Sequence, residues 1–81
     1  MTGVTHFSIS NDGNQALEVT DPSGRTFSIY PSVTSASLTS HGTYRARREH
    51  VPVFDVNFEH NQFNIIPGPG DARANVSVSL A

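Results

Sequence analysis

The chain has 81 residues, a net charge of −2, arginine as its only strongly basic residue type, and neither cysteine nor tryptophan. That length supports one domain with a modest core. The missing cysteines exclude disulfides, thiolate metal ligation and a cysteine nucleophile, and the acidic balance argues against a nucleic-acid partner. No apolar run reaches membrane-spanning length, and Met1-Thr-Gly-Val lacks a basic leader followed by an apolar stretch. A soluble chain is therefore expected, with no membrane partner and the cytoplasm as the favoured location.

Residues 5–10 alternate, with Phe7 and Ile9 on one face and His6, Ser8 and Ser10 on the other, the signature of a half-buried strand. Asn11-Asp-Gly-Asn14 follows as a turn, because Asp-Gly tolerates positive φ. Residues 15–20 resume the alternation with Leu17 and Val19 inward, and Asp21-Pro-Ser-Gly24 turns the chain again. Residues 25–30 direct Phe27 and Ile29 inward and leave Tyr30 as an exposed aromatic at the end. A polar connection leads to residues 35–39, where Leu38 is inward, and residues 43–49 carry Tyr44 and Ala46 on the buried side.

Residues 53–60 place Phe54, Val56 and Phe58 inward and Val53, Asp55, Asn57 and Glu59 outward. With His50-Val-Pro52 as the turn, Glu49 should face Val53, Arg47 face Asp55, Arg45 face Asn57 and Thr43 face Glu59. Tyr44 would then oppose Phe58, and Ala46 oppose Val56. Phe63 and Ile65 extend the inward set, Pro67-Gly-Pro-Gly70 forbids regular structure, and residues 75–80 close the chain with Val76, Val78 and Leu80 inward. Eight short alternating segments with turn signals between them predict a single all-β domain over residues 1–81. The expected form is a small antiparallel β-sandwich of about seven or eight strands without helix.

The stretch Leu38-Thr-Ser-His-Gly-Thr-Tyr44-Arg-Ala46 resembles the tyrosine corner of immunoglobulin-like Greek-key sandwiches, the superfamily that includes fibronectin type III modules. Leu38, Gly42 and Tyr44 carry the resemblance and are structural by it. Ala46 stands where antibody-type domains have a cysteine, and no tryptophan marks the core. The resemblance implies an Ig-like fold and a leaning toward binding roles, with no ligand specified.

Chemistry-bearing residues are few. Arg45 and Arg47 form an outward stripe able to bind an anion, phosphate or carboxylate, or to pair across strands; Arg48, on the other parity, is expected to reach the rim. His41 and His60 share one end of the central hairpin and are weak candidates for a metal, but the ligand spacing of a zinc site is missing. No Gly-x-Ser-x-Gly elbow, paired-carboxylate cleft or phosphate-binding loop is present. The chain is accordingly not expected to be an enzyme or to hold a cofactor. The loop of residues 66–73 could present Ile66, Asp71 and Arg73 to a target. The uncharged strand over residues 75–80 could pair with another chain if it lies at a sheet edge.

These features predict a non-catalytic protein–protein interaction or assembly module, self-associating through an edge strand. One alternative is a carbohydrate- or anion-binding domain using Tyr30, Arg45 and Arg47. A second is a small enzyme inhibitor acting through the 66–73 loop.

Overall fold

The computed structural model describes residues 6–59, 62–69 and 74–79. They form eight strands: β1 (His6–Asn11), β2 (Leu17–Thr20), β3 (Thr26–Ile29), β4 (Thr34–Leu38), β5 (Gly42–Arg48), β6 (Val51–Glu59), β7 (Gln62–Pro67) and β8 (Ala74–Ser79). Every pairing is antiparallel, and no described residue is helical. Two sheets pack face to face, one of three strands in the order β4-β1-β8 and one of five in the order β3-β2-β5-β6-β7. The expected all-β sandwich is the observed architecture.

Alternation builds the core. Phe7 and Ile9 of β1 face Leu17, Val19, Ile29, Tyr44, Ala46, Phe54, Val56 and Phe58 from the wider sheet, all buried, with Phe27 and Leu38 packed at the margin. The aromatic centre is edge-to-face: Phe7 lies 4.9 Å from Tyr44 and 5.2 Å from Phe58, ring centre to ring centre. Such pairs contribute roughly 0.5–1.5 kcal/mol beyond the area they bury.

Three expectations about the core change. Val53 is inward and buried, not outward. Ile65, expected inside, is 45 % exposed although it lies on the inner parity opposite Val56. Among the described residues three strands face five, and the margin they leave uncovered falls at β7. Asn11, read as a turn residue, continues the inward parity of Phe7 and Ile9 and is fully buried. The expected inward positions Val76 and Val78 lie outside the described side chains.

The β5–β6 register also differs. Glu49 and His50 alone make the turn, with φ of 51° and 68°, and Arg48 faces Val51. Two positive φ values define the hairpin turn whose twist matches the strands. A bulge then sets Ala46 opposite Phe54 but Arg47 opposite Pro52, so that both Val53 and Phe54 turn inward. Arg45 therefore faces Asp55, Tyr44 faces Val56 and Thr43 faces Asn57. This is a shift of two residues from the expected pairing, which preserves the faces.

Candidate functional site

The corner between β4 and β5 forms as its residues suggest. Tyr44 is buried, and its Oη donates to the Ser40 carbonyl at 2.8 Å. Burial pushes the phenol above the usual tyrosine range, partly offset by that hydrogen bond. Gly42 sits at φ 130°, where side chains are strained, and a Cβ there would come within 2.7 Å of Pro22 Cβ. The glycine thus lets the β2–β3 turn close onto the corner. Leu38 packs on the core, Gly42 on Pro22 and Tyr44 on Phe7.

That closure leaves a surface cleft of about 490 Å³ lined by Thr20, Asp21, Pro22, Gly24, His41, Gly42, Thr43 and Arg45. Its carboxylate is already occupied. Asp21 Oδ1 accepts from Ser23 Oγ at 2.7 Å, and from the Ser23 and Arg25 backbone N–H groups at 3.0 Å each. The Ser23 hydroxyl first, and the two backbone donors after it, hold the Asp21 carboxyl below the usual carboxylate range. It acts as a turn acceptor and is poorly placed to exchange protons near neutrality. His41 packs edge-to-face on Phe58 at 5.1 Å. His60 lies outside the described residues, and no group of three or more potential ligands among the described residues could hold a metal ion.

The arginine stripe lies on the outer face of the five-stranded sheet. One cross-strand row runs Thr26, Thr20, Arg45, Asp55, Ile66, and the next runs Ser28, Glu18, Arg47, Pro52. Each arginine has a carboxylate as its cross-strand neighbour, yet among the described residues neither closes a hydrogen bond or ion pair. Glu59 adds a third carboxylate to the face, so the two guanidiniums create no excess of positive charge to attract a phosphate. Tyr30 is exposed but follows β3, two strands away from β5. At about 4.8 Å per strand it stands roughly 10 Å from the stripe. The fold therefore sets the aromatic and the arginines on strands two apart.

Arg48 departs from its expected role. Its guanidinium Nη2 donates to Asn11 Oδ1 at 3.1 Å, while the Asn11 amide donates to the Gln15 and Ile29 carbonyls at 2.7 and 2.8 Å. Gly13 N–H also donates to Asn11 Oδ1, at 2.9 Å. One buried amide thus uses both donors and both acceptor positions, tying β1 in one sheet to β3 and β5 in the other. The available sequence signal was parity alone.

Four strands bound the sheets: β4 and β8 in one, β3 and β7 in the other. The C-terminal strand, whose pairing with another chain depended on its lying at an edge, does lie at one: among the described residues β8 pairs with β1 alone. β7 differs in what it shows. Ile65 is exposed on the inner face and Ile66, at 56 %, on the outer face, and Gln62–Pro67 carries no charge. Of the loop candidates, Ile66 belongs to β7, whereas Asp71 and Arg73 lie outside the described residues.

Comparison with protein-family models, with curated proteins and with solved structures finds no match.

Proposed function

We propose that this protein is a non-catalytic interaction module of Ig-like build that associates through a sheet edge. The Ig-like part is supported by the Tyr44–Ser40 hydrogen bond and by the strand order. The strand before the corner pairs with β1 in one sheet, and the strand after it lies between β2 and β6 in the other, as in immunoglobulin sandwiches. In that comparison β8 takes the flank of β1 that a preceding strand would occupy.

The observation that carries the function is the uncovered margin of the wider sheet. A regular, uncharged edge strand with exposed isoleucines on both faces is a template for another strand, and such edges are normally blunted by charge, bulge or cover. Sedimentation equilibrium over a wide concentration range tests the reading. The expected result is an average mass rising above the 8.7 kDa of one chain. A single species of one-chain mass at every concentration would remove the self-association reading. The anion- or glycan-binding alternative has less support, because Tyr30 stands apart from Arg45 and Arg47 and each arginine neighbours a carboxylate.

A further inference from the structure

We infer that β7 pairs antiparallel with β7 of a second copy of this chain, about a two-fold axis at Asn64, so that two five-stranded sheets become one continuous sheet. The inference rests on the edge-association reading and adds to it the strand, the partner and the register.

Of the other edges, β3 and β4 are less suited. β3 spans only four residues, and β4 pairs with β1 through a register break. Short and bulged edges are the usual protection against pairing. β8 pairs regularly, and its side chains lie outside those described. β7 combines six regular pairs with exposed isoleucines on both faces, and the pairing is inferred on that strand.

Backbone direction then selects the register. Gly68 N–H donates to the Val53 carbonyl at 2.8 Å, and these two residues continue the β6–β7 register in which Phe54 opposes Pro67. Hydrogen-bonded and non-hydrogen-bonded pairs alternate along an antiparallel ladder. Ile66, Asn64 and Gln62 therefore direct their backbone groups toward β6, while Pro67, Ile65 and Phe63 direct theirs to the open side. Pro67 has no N–H to offer, which is the position in which an edge strand tolerates proline. The open side thus presents full donor–acceptor sets only at Phe63 and Ile65.

A second copy can use both sets at once. With Ile65 opposite Phe63 of the second copy, and the reverse by symmetry, each pair exchanges both of its N–H···O=C bonds. Asn64 then meets Asn64 of the second copy in the close pair between them, and Ile66 meets Gln62. No like charges meet along the seam, because β7 has none. The nearest acidic strands, β6 and its counterpart, would be three strand spacings apart, about 14 Å. That exceeds the screening length of about 8 Å at physiological ionic strength.

Single-cysteine trapping tests this directly, because the protein has no cysteine of its own. Close-pair Cα atoms in an antiparallel ladder are about 4.5 Å apart, within disulfide range. Under mild oxidation Asn64→Cys should give a covalent dimer. Gln62→Cys and Ile66→Cys should each give no covalent dimer alone and form a mixed disulfide when combined. Ile65→Lys, at an exposed edge position, should return the average mass to that of one chain with an unchanged circular dichroism spectrum. If the wild-type chain self-associates but Asn64→Cys does not cross-link, or the single Gln62→Cys and Ile66→Cys variants cross-link as well, the strand or register is wrong while edge association stands. A wild-type chain that never exceeds one-chain mass overturns both.

Discussion

A buried phenol must spend its hydroxyl on a nearby acceptor, and Tyr44 does so on the carbonyl four residues upstream. Tyr44→Phe keeps the ring against Phe7 and leaves the Ser40 carbonyl to water or to nothing. The expected loss is about 1 kcal/mol in chemical denaturation, with association unchanged. The raised phenol also sets a pH dependence. Because the folded state disfavours the phenolate, the contribution is intact below the ordinary tyrosine value near 10 and is lost as pH rises toward the higher folded value. The Phe variant should lose less stability than wild type across that alkaline window. Asn11 is the more costly residue. Removing its amide by Asn11→Ala strands the Gln15 and Ile29 carbonyls and the Gly13 N–H, and takes an acceptor from Arg48. A loss of about 2–4 kcal/mol in urea unfolding is expected, with each orphaned buried group costing roughly 1–3 kcal/mol before relaxation. Tyr44 was legible because leucine, glycine and tyrosine at fixed spacing name the corner. Asn11 was not, because asparagine beside Asp-Gly is also what a plain turn would contain.

The β5–β6 hairpin shows what element-level reading can and cannot deliver. Alternation assigned both strands to the correct faces except at Val53, and Arg45, Thr43 and Asn57 lie outward as expected. The turn itself was misplaced. Left-handed backbone is normally signalled by glycine or asparagine, and here Glu49 and His50 adopt it without either. The bulge beside Pro52 then absorbs one residue, which no periodicity argument anticipates. His50 is exposed, so relieving its backbone involves no packing loss. His50→Gly is expected to stabilise the protein by about 1 kcal/mol. On a domain this small that is a rise of roughly 4–8 °C in melting temperature by calorimetry. A fall in melting temperature would mean that the histidine side chain contributes more than its strained φ costs.

At the scale of the molecule, the mismatch of five strands over three decides what the surface offers. It buries the middle of the wide sheet and leaves β7 outside, so Ile65 stays exposed despite its inward parity. The association proposed at that margin would stabilise the folded chain by mass action. The melting temperature of the wild-type chain should therefore rise with protein concentration, while that of Ile65→Lys should not. The same geometry keeps Tyr30 on the far side of β2 from the arginine stripe and turns Pro22 onto Gly42.

The sequence by itself determined the strand content, most of the inward faces, the corner at Tyr44 and the separation of charge onto the outer face. Each of these follows from a period of two along a strand or from a local turn chemistry. Only the tertiary structure decided that Asn11 is a four-bonded link between sheets, that Arg48 serves it, and that β7 overhangs the sandwich. Those outcomes depend on which strands become neighbours and on how wide each sheet grows, and no local pattern encodes either. The edge proposed for pairing belongs to this second group: Ile65 read as core and Ile66 as the start of a loop until the sheets were counted.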